Sequence, residues 1–306
     1  MMDDFHGLKT LSLSNSFLRL DYLAEAGPRL VRLTLAGSDE NLFAETPDVS
    51  WPTPDGDYYL RGGHRLWHAP EAPIRSDEPD NRGLSIMRRG AAVRLTQPIE
   101  AATGLRKSIE VELAVDAPCV TVRHLIENDG SSAIELAPWA ITMLPLGGFA
   151  IVPQHRATEH PLLPDRHVVA WPYTRWHDAR LNIDDDTLVV NAQADEQPCK
   201  IGSLSTGWIG YLRNGVFFVK QFDPRLDRLH PDRDCNVEVY SNHRFIEIET
   251  LAPLVTLAPG QATEHVETWH VIAVQAASTP AELMALIKQL NWVQSLSSTI
   301  AERAPL

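Results

Sequence analysis

The stretch Phe245–His270, FIEIETLAPLVTLAPGQATEHVETWH, sets the reading of the chain. Its first residues alternate. Residues two apart on a strand share a face, so Ile246, Ile248 and Thr250 form one side, while Phe245, Glu247 and Glu249 form the other. The isoleucine side reads as core. The two carboxylates then point the same way, with backbones roughly 6.5–7 Å apart. On an inner sheet face a carboxylate loses hydration, which partners or a proton must offset. That is how a general base is tuned; the plain alternative is a pair of solvated glutamates on an outer face. At the other end of the stretch His265, Glu267 and Trp269 share one face, and they read as a packed cross-strand set rather than a site.

The same alternation recurs along the chain. Residues 10–23, TLSLSNSFLRLDYL, read as a half-buried strand that pairs, across Gly27-Pro28, with LVRLTLAG as a hairpin. Residues 84–127 read as three or four antiparallel strands, closed by the turn Asn128-Asp129-Gly130. Ile134–Leu146 follows, with Trp139 beside Pro138 marking an edge or a bulge. Further strands are expected at 188–190, 199–205, 207–212, 216–222 and 237–241. Two segments break the pattern and read as long loops: 45–63, rich in proline and glycine, and 152–187, which is aromatic and irregular. Thr279-Pro280-Ala281-Glu282 has the form of a helix start and predicts one terminal helix over about 280–291. No low-complexity linker or fixed-period repeat divides the chain. Residues 1–306 therefore read as a single all-β domain, a large antiparallel sandwich with one C-terminal helix.

Composition narrows the function. A formal net charge of −13 argues against nucleic acid or an anionic membrane as partner. No apolar run approaches the ~20 residues of a membrane span. The start, MMDDFHGLKT, has neither a basic region nor an apolar one of the signal-peptide kind. Cys119, Cys199 and Cys235 form neither a disulfide framework nor a zinc spacing, which suits a reduced, cytoplasmic protein. Strand edges are compatible with a monomer or a homodimer.

The densest chemistry lies in Gly62–Glu71, GGHRLWHAPE. Trp67 offers an apolar face for a sugar ring, Arg65 a planar fork of donors, and His64 and His68 proton transfer near neutral pH. His64, His68 and Glu71 also admit a metal reading, but the flanking glycines and proline oppose the helix that their spacing suits, and no metal or cofactor is expected. Lys220, two residues from both Phe218 and Phe222, needs a partner or a ligand if it faces an apolar side.

The order of these signals resembles the galactose mutarotase-like (aldose 1-epimerase-like) superfamily, over roughly residues 10 to 273. Asn15, Gly27-Pro28-Arg29-Leu30 and Asn41-Leu42 resemble its first hairpin. Glu249-Thr250 with Pro253, then Leu257-Ala258-Pro259-Gly260, resemble its late motif. GGHRLWHAPE, APWAITMLP, NVEVYSN and IEIETLAP together resemble a branch apart from the true epimerases. The resemblance implies a β-supersandwich and a small-molecule carbohydrate as partner. In the family a glutamate takes the anomeric proton while a histidine protonates the ring oxygen, and Glu249 matches that glutamate. The family's histidine falls on Trp139, which cannot act as an acid, leaving His64, His68 or His243 to supply the proton. The expected site is then Glu249 with His64 and His68 as catalytic groups, and Arg65, Trp67, Trp139, Lys220 and Glu247 around the sugar. A carbohydrate-binding protein that has lost the acid is the alternative. A lyase or hydrolase using Glu247 and Glu249 is disfavoured, because neighbours on one strand do not straddle a glycosidic bond.

Overall fold

The computed structural model describes residues 4–73, 75–155, 162–277, 279, 282–283 and 285–286. Two large antiparallel sheets face each other. One runs, edge to edge, through β1 (Asp4–Phe5), β2 (Leu8–Ser14), β3 (Leu18–Leu23), β4 (Arg29–Leu35), β7 (His64–Ala69), β12 (Ile134–Pro145), β21 (Phe245–Leu251), β20 (Val237–Ser241), β17 (Cys199–Ser203) and β14 (Val168–Ala170), with β22 (Val255–Leu257) added beside β12. The other runs through β15 (Leu181–Ile183), β16 (Thr187–Asn191), β13 (Phe149–Pro153), β18 (Trp208–Arg213), β19 (Val216–Phe222), β23 (Ala262–Ala273), β11 (Cys119–Asn128), β10 (Leu105–Leu113), β9 (Ala92–Thr96) and β8 (Ser85–Arg89). A hairpin, β5 (Glu45–Thr53) and β6 (Gly56–Gly62), stands apart from both. The all-β supersandwich expected from the sequence is the fold.

Three local expectations are corrected. Residues 10–23 are two strands, β2 and β3, because Asn15 Oδ1 accepts the N–H groups of Phe17 and Leu18 and turns the chain there. Residues 45–63 form a hairpin rather than a loop. Pro47 and Pro52 are tolerated because the two-stranded ribbon has no third strand to demand their missing N–H. Pro138 lies in a central strand rather than at an edge. Its carbonyl accepts the Ala252 N–H, so its missing donor faces the point where the partner of β12 changes from β22 to β21. Most of the expected terminal helix lies outside the described residues. Thr279 does cap its start, accepting the Glu282 N–H at 3.2 Å, and Leu283 is fully buried.

The main core fills the space between the sheets with Leu20, Leu66, Ile109, Val122, Ile246, Ile248 and Val271. At its centre lies a polar network. Lys220 Nζ and Glu267 Oε1 pair at 2.8 Å, both fully buried. Lys220 also donates to the carbonyls of Ala140 (2.9 Å) and Ile248 (3.4 Å), on adjacent strands of the opposite sheet. Trp269 Nε1 donates to Glu267 Oε2 at 2.7 Å, and the Thr250 hydroxyl donates to Oε1.

Three histidines complete it. His124 Nδ1 lies 2.9 Å from the His265 carbonyl, so it carries the proton and Nε2 accepts. His64 Nε2, 2.7 Å away, must then donate, and Thr142 Oγ1 donates to His64 Nδ1 at 2.8 Å. His265 Nε2 donates to Thr250 Oγ1 at 2.7 Å. These bonds fit neutral rings, one carboxylate and one ammonium. Burial pushes His64 and His124 below the ordinary imidazole value and His265 down to about 3. Burial alone would raise Glu267, but the Lys220 ammonium bonded to it holds it down to about 2.

Replacing Lys220 with methionine strands an unpaired carboxylate in a dry core, at an expected cost of about 3–5 kcal/mol. The double variant K220M/E267Q should lose less, because no charge is stranded. Urea unfolding compares the two, and a single variant as stable as the double one would refute the pairing. The histidines set a second expectation. Each is neutral in the fold and protonates near 6.5 when unfolded, so stability is complete above that pH and declines as pH falls towards about 3. The slope reaches up to about 1.4 kcal/mol per pH unit for each histidine. A melting temperature flat between about pH 7 and 5 would count against it.

Candidate functional site

The outer face of the eleven-stranded sheet carries the groove. Alternation sends Ile246, Ile248 and Thr250 of β21 into the main core, so Glu247 and Glu249 emerge on the other side. The neighbouring strands supply the remainder in register. Ile141 of β12 lies between Arg65 of β7 and Glu249, and Glu249 faces Glu238 of β20. Trp67 and Trp139 are paired residues whose rings meet edge to face, 5.5 Å apart. The β5–β6 hairpin packs over this face through Tyr58 and Leu60 and forms one wall. Tyr58 is held in turn, accepting hydrogen bonds from Trp67 Nε1 (2.9 Å) and Arg29 (2.6 Å). The opening is a cavity of about 520 Å³, within the size of small-molecule sites. Trp51, Trp67, Trp139, Tyr173, Tyr240 and Phe245 are its aromatic lining.

Two charge clusters sit at its floor. Arg65 Nη2 donates to Glu247 Oε1 at 2.9 Å, and its guanidinium lies 4.6 Å from the Trp67 ring centre. Arg65 is 4% exposed, yet its Nε and Nη1 have no partner among the described residues. In the second cluster Lys200 Nζ bridges Glu238 (2.7 Å) and Glu249 Oε2 (3.0 Å), and Trp139 Nε1 donates to the same Glu249 oxygen at 2.7 Å. Glu249 Oε1 is unpartnered and buried. One ammonium cannot neutralise two carboxylates. Burial and the neighbouring Glu249 push the Glu238 carboxyl well up, and both carboxylates hold Lys200 charged against its own burial. Burial likewise raises Glu247, with Arg65 opposing.

The residues expected at the site are divided by the sheet. Arg65, Trp67, Trp139 and Glu247 line the groove. Glu249 lies at its base, fully buried beneath Trp139 and Lys200. His64, His68 and Lys220 do not reach it. His64 and His68 alternate with Arg65 and Trp67 along β7 and therefore point between the sheets, His64 to His124 and His68 to Arg75 at 3.0 Å. Lys220 belongs to the core pair. The grouping of His64, His68 and Glu71 as metal ligands fails for the same reason, since Glu71 lies on the groove. His243 sits on the rim, 3.5 Å from Glu196. His64, His124 and Glu267 do place ligand atoms within 4.8 Å of one another, but Lys220, Thr250 and Trp269 already satisfy that carboxylate.

Lys200, Glu238 and Tyr240 were not foreseen as site residues. Lys200 carried a usable signal, a lysine between Cys199 and Ile201 in an apolar strand.

No protein-family profile matches this sequence, and neither does any curated protein. Solved structures do match in fold. A galactose mutarotase-like protein from Lactobacillus casei superposes with a TM-score of 0.56 at 12% identity, over 86% of this chain and 100% of that one. A candidate aldose 1-epimerase from Escherichia coli K12 gives 0.54 at 13%, over 88% and 100%. A TPR-domain containing protein from Parabacteroides distasonis gives 0.59 at 17%, over 90% of this chain but only 49% of its own length. The chain has the galactose mutarotase-like fold. Among the described residues no helix is long and apolar enough to cross a membrane.

Trp139→Phe removes one donor from a buried carboxylate while keeping most of the ring. The expected loss is about 1.5–3 kcal/mol in urea unfolding. An unchanged midpoint would mean that the indole hydrogen bond does not hold Glu249.

Proposed function

We propose that the groove binds a sugar or sugar derivative, in the manner of the aldose 1-epimerase-like proteins whose fold the chain shares. The observation that carries this reading is the set of buried polar atoms left without partners beside an aromatic cavity: Arg65 Nε and Nη1, and Glu249 Oε1. Such atoms cost free energy unless a ligand meets them. Sugar hydroxyls both donate and accept, so one ring can satisfy the guanidinium and the carboxylate together. The indoles of Trp67 and Trp139 offer apolar faces to its C–H groups.

Binding without turnover is the favoured form. The resemblance implies that Trp139 takes the family's acid position, and neither His64 nor His68 opens to the groove. One feature keeps anomer interconversion as the second reading. Glu249 is anchored through Oε2 while Oε1 is free to take a proton. Its proton donor would then come from the groove wall, where Glu71 and His243 stand.

Titration of a panel of aldoses against tryptophan fluorescence, with anomeric exchange followed by NMR, tests both. Binding that is weakened about tenfold in E249Q, without faster exchange, is the expected result. Accelerated exchange that disappears in E249Q would establish the second reading. Absence of any aldose binding would overturn both.

A further inference from the structure

The walls of the groove are acidic beyond what their own cations balance. Glu71 and Glu247 line it and Glu238 and Glu249 are buried behind that lining, against Arg65 and Lys200. Two cations stand against four carboxyl groups, and with Glu238 pushed towards its neutral form a formal excess of one negative charge remains. Among the described residues the rim cations do not offset it, since Arg244 is taken up by Asp48 and His243 lies against Glu196. In a partly dry cavity such an excess is costly, and a ligand of the opposite charge relieves it.

The aromatic lining works in the same direction. Cations are attracted to the faces of indole and phenol rings. The chain already shows an ammonium held this way: Lys200 Nζ lies 4.5 Å from the Trp139 ring centre and 4.8 Å from that of Trp171, with two carboxylates bonded to it. That internal cation satisfies part of the acidic wall and leaves Glu71, and the unpartnered Oε1 of Glu249 beneath it, for another. The unpartnered nitrogens of Arg65 do not reverse the preference. Their charge is met by Glu247, and the remaining N–H groups need only a neutral oxygen.

From this juxtaposition of four glutamates, two cations and an aromatic lining we infer that the ligand carries a positive charge, as a sugar with a free primary amine does. Sugars bearing phosphate or carboxylate are disfavoured, because they add charge of the sign already in excess. The inference rests on the groove being a sugar site and names the class of sugar.

Calorimetric titration of the full chain with glucosamine, N-acetylglucosamine, glucose and glucose 6-phosphate tests it. Glucosamine is expected to bind about tenfold more tightly than its N-acetylated form, with the advantage shrinking as salt is raised. The phosphorylated sugar should bind most weakly, and E71Q should narrow the gap between amine and acetamide. Equal binding of the amine and acetamide forms, or tightest binding of the phosphate, would overturn the inference and leave the sugar reading standing. If no sugar of any charge bound, the sugar reading itself would fall, and this inference with it.

Discussion

Lys220 and Glu267 form the contact on which both halves of the molecule depend. An ammonium and a carboxylate so far from water are tolerable only if every hydrogen bond is made. Here that condition is met by drawing on both sheets. Glu267, Lys220, His124, His265 and Trp269 come from one, and His64, Thr142 and Thr250 come from the other. The lysine also takes hold of two backbone carbonyls on adjacent central strands, Ala140 of β12 and Ile248 of β21. The apolar core would accept many relative placements of two sheets. This network accepts one.

The groove inherits that placement. Ile248 and Glu249 are consecutive, as are Trp139 and Ala140, so the backbone that Lys220 grips from behind carries the groove residues in front. Lys200 and Arg65 then perform on the outer face what Lys220 does on the inner one, though less completely. Their clusters leave acceptors and donors over, which the core ion pair does not.

Much of the fold was legible because alternation is a strong signal in long strands. Four strands between residues 84 and 127, and those near 188, 199, 208, 216 and 237, lie close to where the periodicity puts them. The sidedness of β21 was legible for the same reason, and so was the packing of His265, Glu267 and Trp269. The site was harder. Alternation says that His64 and Arg65 face opposite ways. It does not say which of them faces the core, because both are polar and neither side of β7 is marked by a run of isoleucines. Only the pairing of β7 with β12 decides it. Lys200 and Glu238 are not legible as site residues in the sequence because each is one polar residue in a short strand, and their meaning depends on a neighbour far away in sequence. The β5–β6 hairpin was hidden by prolines that a ribbon of two strands accommodates.

The alternation of β21 also governs which changes the chain can absorb. Glu249 serves the groove and Thr250 serves the core, side by side on a strand paired along both edges. Inserting or deleting one residue in Phe245–Leu251 would exchange the contents of the two faces, sending a carboxylate into the ion-pair network and an isoleucine into the groove. The turn of the hairpin opposite, at residues 54–57, has no such constraint, since it is exposed and the hairpin's strands pair only with each other. Length variation among related chains should therefore gather at the turn, residues 54–57, where it would reshape the mouth of the groove, and spare β21 altogether.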